Sequence, residues 1–495
     1  MQYEILKKLK SGTDVRGTAI GENMTLTNEA VEIIAKAFAK WLSGRINKKN
    51  VNIAIGGDCR ISTARILKTV KCALISSGVK VYDCGICTTP SMFMILKDAK
   101  YQLDGSVMIT ASHLPYDRNG LKFFTPDGGL ESKNIDEILR IAADGDFFEG
   151  NGKDVSAPYM DEYCNGLLKV VRTACGNDKP LTGKKVIVDA GNGCGGFFVD
   201  KILKPLGADT EGSQFLSPDG RFLNHIPNPE DKNAIASLSQ AVKAHNADLG
   251  IIFDTDVDRA GAVDSDGKEI NRNRLIALLA TVLFKEKRGV IVTDSVTSQS
   301  LSEYIKNLGG EHLRFKRGYK NVIDKCVELN GAGTYSPLAI ETSGHAAFKD
   351  NYYLDDGAYL VTRILILLST QAKGEKLCSL ISELKDPVEE SEIRLSFTSD
   401  SVDFKAEGDK VIEDLTLIAS KDENLRLAQD NYEGVRIFFD GLQGNVIVRM
   451  SVHDPIMPIN IESYQSGGVK KIAQSLYEIL KGYAFLNTEN LKNIT

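Results

Sequence analysis

Short apolar runs that end in polar, turn-rich loops recur along the chain, separated by stretches with helical spacing. Val51 to Ile55 runs into Gly56-Gly57-Asp58-Cys59-Arg60, and Val107 to Ile109 stops at Thr110-Ala111-Ser112-His113. Ala247 to Phe253 runs into the string Asp254, Thr255, Asp256, Val257, Asp258, Arg259, and Leu338 to Ile340 delivers Glu341, Thr342, Ser343, Gly344 and His345. Runs this short, bounded by turn residues, read as strands, whereas Asn28 to Leu42 and the set Tyr359, Leu360, Arg363, Ile364, Leu367 follow the helical period. Strands alternating with helices predict largely parallel α/β sheets, which present their chemistry at the carboxyl ends of the strands. After Asp386-Pro387 the pattern changes. Ser391 to Ser396, Gly434 to Gly441, Asn445 to His453 and Pro458 to Glu462 are strand-like neighbours joined by turns such as Asp440-Gly441, and Gly467 to Leu480 is helical, so this last part reads as antiparallel α+β.

At 495 residues the chain exceeds one core, and ordinary domain sizes predict three or four domains. The pattern places them at 1–165, 166–270, 271–385 and 386–495. A net charge of −6 leaves no basic surplus for a nucleic-acid backbone or an anionic membrane, so neither is expected as a partner and any anion must be held by a local site. The amino-terminal residues have no apolar signal core, and the stretch Ala358 to Leu368 is short and interrupted by Arg363, so a cytoplasmic protein is expected. Nine cysteines without a framework fit a reducing compartment. One C-x-x-C, Cys84 to Cys87, offers a thioredoxin-like alternative, and an isolated match of this kind has a high false-positive rate.

Two loops carry candidate chemistry. Ser112 shares a turn-rich segment with His113, Arg118, Asn119 and Lys122; a helix N-cap is the plain reading of such a serine, and Thr110 and Leu114 occupy the positions where a hydrolase elbow has glycine. Asp254, Asp256 and Asp258 alternate on a chain leaving a strand, so an extended backbone would set all three on one side. Three carboxylates so placed repel unless a cation joins them, and hard oxygen donors favour Mg²⁺. An EF-hand is excluded, since Arg259 stands at its glycine position and Ser265 at its terminal glutamate. Arg16 and Arg60 follow turn residues, where arginines are usually solvated. Glu341 and Ser343, two apart, would project together. Strand alternation would turn Arg449, Ser451 and His453 to one face, with arginine and serine donors suited to a phosphate.

The string T-A-S-H-x-P followed by N-G-x-K resembles the phosphoserine loop of the α-D-phosphohexomutases, the phosphoglucomutase and phosphomannomutase superfamily. D-x-D-x-D-R at Asp254 to Arg259 resembles that family's metal loop, with Thr255 where glycine is usual. Glu341 to His345 resembles its sugar-binding loop, with Ile340 in place of glycine. Thr88-Thr89-Pro90 and Arg16-Gly17 also have counterparts. The resemblance implies a four-domain fold, three similar α/β domains with mixed, mostly parallel sheets plus a C-terminal α+β domain around a central cleft. It implies a phosphoryl group on Ser112, Mg²⁺ held by Asp254, Asp256, Asp258 and a Ser112 oxygen, charge offset from Arg259 and Lys122, His113 and Arg16 in the catalytic set, and His345 as a base titrating near neutrality. Glu341 and Ser343 would read the sugar's 3- and 4-hydroxyls, leaving the 2-position unread. The family's fourth-domain motif R-x-S-G-T-E-P appears as Arg449-Met450-Ser451-Val452-His453-Asp454-Pro455, a departure in the phosphate loop.

The implied activity interconverts hexose 1-phosphate and hexose 6-phosphate, glucose or mannose, through a hexose 1,6-bisphosphate that also serves as activator. A monomer or homodimer with a hexose phosphate substrate is expected. The alternatives are phosphoglucosamine mutation and a non-catalytic sugar-phosphate-binding regulator on the same scaffold.

Overall fold

The computed structural model describes residues 1–372, 374–398, 403–451 and 454–495. The chain forms two compact units, one made of Met1–Asn271 with Ser343–Ser379, the other of Arg272–Thr342 with Leu380–Thr495. The third sequence segment, 271–385, is thus shared: after Ser343 the chain rejoins the first unit.

In the first unit a mixed eight-stranded sheet runs in the order Lys10–Ser11, Asp14–Thr18, Arg118–Thr125, Gly105–Ile109, Asn52–Gly57, Lys80–Ile86, Lys153–Ser156, with Gly128–Gly129 paired to Arg118–Thr125. Asn52–Gly57 is parallel to both its neighbours, while Arg118–Thr125 runs antiparallel to Gly105–Ile109 and to Asp14–Thr18. The helix Asn28–Ile46 starts where Thr27 accepts a hydrogen bond from the Ala30 amide and stops at Asn47, whose φ is 50°. Its apolar stripe of Val31, Ile34, Phe38 and Leu42 is buried in one cluster with Ile53, Ile55, Val107, Ile109 and Phe123 of the strands. Phe38 meets Phe123 with ring centroids 4.7 Å apart. Burying such side chains is worth roughly 1.5–3 kcal/mol each, and it fixes the register that aims the next loop.

A second, three-stranded sheet in this unit has Leu249–Phe253 at its centre, parallel to Val186–Asp189 and antiparallel to Ala260–Asp264. All five residues of Leu249–Phe253 are buried, and the connection to Ala260 is the aspartate turn. On its return the chain forms Ala346–Phe348 and the helix Gly357–Thr370, capped by Asp356, whose carboxylate also accepts from Tyr163 Oη at 2.7 Å.

In the second unit Val290–Asp294 lies between the parallel strands Glu311–Phe315 and Leu338–Ile340. Leu425–Leu427, Val435–Phe439, Gly444–Val448, Ile456–Ser463, Glu389–Phe397 and Leu486–Asn487 form an antiparallel sheet in that order, covered by Phe404–Lys421 and Gly468–Leu480 around a core that includes Leu395, Val411, Val446, Ile459 and Ile472. The expected strand Asn445 to His453 ends as regular structure at Val448. Among the described residues no helix is long and apolar enough to cross a membrane. The nine cysteines include no disulfide among them. Burial and the neighbouring Asp83 push the Cys84 thiol up to about 12, and burial lifts Cys87 well above the ordinary thiol range. Neither supplies a thiolate near neutral pH, which removes the redox alternative.

Gly120 is where fold and loop meet. It lies opposite Arg16 between two strands, and a Cβ there would come 2.4 Å from the Val15 carbonyl oxygen and 2.8 Å from that of Thr110. Backbone cannot yield cheaply, so Gly120→Ala should lower stability by about 1–3 kcal/mol. Urea unfolding is the check: the midpoint should fall at constant slope, and an unchanged midpoint would show that the strands have room.

Candidate active site

The strand Gly105–Ile109 ends at Thr110, and the chain turns so sharply that Ser112 takes a left-handed φ of 53°. A side chain in that region costs roughly 1–3 kcal/mol, so the surroundings must hold it. Thr110 Oγ1 accepts the Ser112 amide at 2.9 Å. Ser112 is therefore a strained, buried serine at a strand end rather than a helix cap. Its hydroxyl donates to Asp254 Oδ2 at 3.1 Å and accepts from Arg259 Nη2 at 3.3 Å.

The three aspartates do converge, although not by strand alternation. Residues 254–259 form a turn in which Val257 has φ 66°, an unusual value for a β-branched residue. Neighbouring backbone holds that turn. The Thr255 carbonyl accepts from the Cys194 amide at 2.8 Å, the Asp256 carbonyl from Thr89 at 2.9 Å, and the Val257 carbonyl from Gly357 at 3.1 Å. One oxygen from each of Asp254, Asp256 and Asp258 lies within 4.8 Å of the others, and all three residues are buried.

The charge around them is ordered. Lys122 Nζ is 2.5 Å from Asp258 Oδ2 and 3.4 Å from Asp256 Oδ2. Arg259 Nε is 3.2 Å from Asp254 Oδ2. Burial raises Asp258, but Lys122, His345 and Arg259 more than offset this and hold it well below the usual carboxylate range. Burial, with Asp258 and then Asp256 nearby, pushes Asp254 well above that range. Lys122, Arg259 and His345 therefore act unevenly on the three carboxylates, favouring Asp258 over Asp254. Asp256 Oδ1 and Asp258 Oδ1 are buried without a hydrogen-bond partner. Orphaned buried carboxylate oxygens in an all-oxygen set fit a hard divalent cation such as Mg²⁺.

His113 and His345 differ in charge. Burial, Arg259 and Arg16 pull His113 down to about 3, so the ring is neutral. Its Nδ1 lies 2.6 Å from Arg259 Nη2, a group that only donates, so Nδ1 is the acceptor and the proton sits on Nε2. Burial pulls His345 down as well, but Asp355, in contact with its Nδ1, and then Asp258 bring it to about 9. Burial also raises Asp355, so one proton is shared along that contact across neutral pH. The expectation that His345 titrates near neutrality does not hold, because the Asp355 carboxylate stands against its ring. Arg16 is opposite Gly120 and donates to Asp14 at 2.8 Å.

Ser112, His113, Lys122, Asp254, Asp256, Asp258, Arg259 and His345 therefore gather in the first unit. Ser343 is there too, its buried Oγ without a hydrogen-bond partner among the described residues. Glu341 belongs to the second unit and accepts the Gly318 amide at 2.7 Å. Arg449 and Ser451 are also in the second unit. Beyond the regular strand their amides still bond to Pro458 and Ile456 at 3.2 and 3.1 Å, and this alternate bonding keeps the two on one side. Arg449 is buried. His453 lies outside the described residues. Burial and then Arg317 lower the Arg449 guanidinium, against the opposing effect of Glu433, Glu392 and Asp294.

Sequence reasoning passed over Asp355, Arg317 and the role of Thr89, whose Oγ1 donates to Asp256 Oδ2 at 2.5 Å. Arg317 had a signal, since it follows Glu311–Phe315 at a parallel strand's carboxyl end. The other two act through tertiary contacts alone.

A strained serine, a carboxylate cation site and convergent arginine and lysine, set at strand ends of α/β sheets, define a phosphoryl-transfer enzyme. Residues 7–149, 161–267 and 271–387 match, in turn, domains I, II and III of the family described as phosphoglucomutase/phosphomannomutase, alpha/beta/alpha domain. The chain is 30% identical over 457 residues to the phosphomannomutase/phosphoglucomutase of Pseudomonas aeruginosa, covering 91% of this chain and 90% of that protein. It is 29% identical to a phosphoglucomutase of Neisseria gonorrhoeae over 96% and 97% of the two chains. The crystal structure of a phosphoglucomutase/phosphomannomutase family protein of Burkholderia thailandensis superposes with a TM-score of 0.81 at 27% identity, covering 97% of this chain and 98% of that one. The chain belongs to the phosphoglucomutase/phosphomannomutase family. It is a phosphohexomutase, an isomerase, built from three α/β/α domains and a C-terminal domain of strands and helices.

The shared proton gives a pH prediction. A histidine raised to about 9 contributes stability that is complete below its ordinary value of 6.5 and is lost as the pH rises through about 9. In Asp355→Asn the largest upward push is gone and Asp258 alone is left against burial and Arg259, so the His345 titration followed by NMR should move well down from about 9. A His345 that still titrates near 9 in that variant would mean that another group holds the proton.

Proposed function

We propose that Ser112 carries a phosphoryl group that it gives to a hexose phosphate and takes back, so that hexose 1-phosphate and hexose 6-phosphate interconvert through a hexose 1,6-bisphosphate. The observation that carries this reading is the seat of Ser112 Oγ, buried between Asp254 and Arg259. A phosphoryl group there adds nearly two negative charges beside three buried carboxylates. Phosphoryl transfer depends on positioning and charge neutralisation, and both are built in.

Arg259 reaches the Ser112 oxygen directly, so its guanidinium is placed to follow charge onto the transferring group. Neutral His113 holds the same Nη2 that reaches the serine and adds no charge of its own. Lys122 neutralises Asp258 and Asp256 from the neighbouring strand. Asp254, Asp256 and Asp258, with a Ser112 oxygen, would hold Mg²⁺, which when bound supplies the missing positive charge. The proton shared by His345 and Asp355 can be given to one oxygen and recovered from another, which a transfer out and back requires. Arg16 stands beside His113 as a further cation of the catalytic set.

For the substrate we assign Glu341 and Ser343 to sugar hydroxyls, and Arg449 and Ser451, with His453, to a phosphate. Support for the phosphate assignment is a buried arginine whose charge burial and the nearby Arg317 make costly, a cost that an anion relieves. Glucose and mannose phosphates are the proposed substrates, with the bisphosphate as activator.

Ser112→Ala should stay folded and lose nearly all turnover, and intact-mass measurement should find phosphate on the wild-type chain that is missing from the variant. Full activity in Ser112→Ala would remove the serine from the reaction. Exhaustive chelation should abolish turnover and Mg²⁺ restore it, while Asp256→Asn should raise the Mg²⁺ concentration required; activity that survives chelation would make the triad structural. Arg449→Ala removes a charge-assisted bond of about 1.5–3 kcal/mol, so the KM for glucose 1-phosphate and that for glucose 6-phosphate should both rise, by roughly ten- to a hundredfold. If neither moves, the phosphate is held elsewhere.

A further inference from the structure

Arg60, which the sequence places on a solvated turn, is 2% exposed. A buried guanidinium needs partners for its donors, and all four N–H groups of its two terminal nitrogens have one. Nη1 donates to the carbonyls of Pro115 at 2.7 Å and Arg118 at 3.0 Å. Nη2 donates to the carbonyl of Leu114 at 2.6 Å and, more closely still, to that of Ser112. Nε faces Asp58 Oδ2 in an ion pair at 3.2 Å. Four carbonyls of the segment from Ser112 to Arg118, which leads into the strand Arg118–Thr125, thus converge on a single planar cation. The Pro115 carbonyl also takes the Arg118 amide at 3.0 Å, and buried carbonyls need such partners.

The cation is itself fixed. Asp58 balances its charge and accepts, through Oδ1, the Arg60 amide at 2.9 Å and the Thr63 hydroxyl at 3.0 Å. The Phe222 ring covers the guanidinium with its centroid 5.2 Å away. That ring is delivered by a close approach: a Cβ on Gly220 would lie 2.5 Å from the Cys59 carbonyl oxygen and from the Ile61 amide nitrogen. The segment carrying Phe222 also supplies Asn228, which accepts from Arg259 Nη1 at 3.4 Å. One segment therefore touches both the arginine behind the serine and the arginine in front of it.

We propose that Arg60 is a positioning residue for phosphoryl transfer: by gathering the carbonyls of Ser112, Leu114, Pro115 and Arg118 it holds the strained serine peptide where its oxygen meets Asp254 and Arg259. This rests on the reading that Ser112 carries the phosphoryl group. The planar fork, rather than positive charge alone, does the holding. Lysine has three donors around one atom and cannot span four carbonyls.

The test compares wild type, Arg60→Lys, Arg60→Ala and Phe222→Ala after priming with glucose 1,6-bisphosphate, with turnover expressed per Ser112-phosphorylated chain as counted by intact mass. That normalisation removes any loss due only to unfolded protein. Arg60→Ala, with an unchanged circular dichroism spectrum, should either resist phosphorylation or turn over about 100-fold more slowly, with KM nearly unchanged. Arg60→Lys should recover little, and millimolar guanidinium, but not ammonium, should raise the rate of Arg60→Ala. Phe222→Ala should show a smaller loss in kcat. Should Arg60→Ala fail to fold, Arg60→Lys and Phe222→Ala carry the comparison. Wild-type kcat per phosphorylated chain in Arg60→Ala, or in Arg60→Lys and Phe222→Ala together, overturns the assignment. Absence of phosphoserine from the wild-type chain would instead overturn the reading of Ser112 on which it rests.

Discussion

Three buried carboxylates within 4.8 Å of one another are the constraint around which the first unit is built. Two such charges repel by roughly 3–4 kcal/mol at an effective dielectric near 20, and burial adds the cost of lost hydration. The fold answers from several directions. The antiparallel register sets Lys122 opposite Met108 and so brings its ammonium to Asp258. The aspartate turn closes on Arg259, and Thr89 clamps Asp256 through both its amide and its hydroxyl. His345 adds a third cation, and the carboxylate oxygens Asp256 Oδ1 and Asp258 Oδ1, left without a hydrogen-bond partner among the described residues, fit a hard divalent cation.

Much of the architecture was legible because it depends on short-range patterns. Apolar runs such as Val107 to Ile109 and Leu249 to Phe253 can only be strands once buried on both faces, and the polar loops after them had to fall at strand ends. The family resemblance named nearly every charged member of the site. What could not be read was how the loops reach their geometry. Ser112 at φ 53° and Val257 at φ 66° occupy backbone regions that their residue types disfavour, and only tertiary bonds make those conformations stable. Alternation along an extended chain gave the right grouping of Asp254, Asp256 and Asp258 for the wrong reason.

Electrostatics showed the same limit. An isolated histidine titrates near neutrality, and nothing local to His345 indicated otherwise; Asp355, ten residues on, decides its charge. Arg60 looked like a solvated turn residue for a similar reason, since the four carbonyls that it gathers lie more than fifty residues away in the chain. In the second unit Arg449 is buried, and the nearby Arg317 adds to the cost of its charge.

The claim at the centre of this account is that the phosphoryl group travels on Ser112. A single-turnover experiment addresses it directly. The chain is phosphorylated with labelled glucose 1,6-bisphosphate, freed of small molecules, and mixed with one equivalent of unlabelled glucose 1-phosphate in the presence of Mg²⁺. The account predicts that label leaves Ser112 and appears in sugar phosphate within the time of one catalytic turnover. Label that stays on the protein while glucose 6-phosphate forms at the normal rate would contradict it.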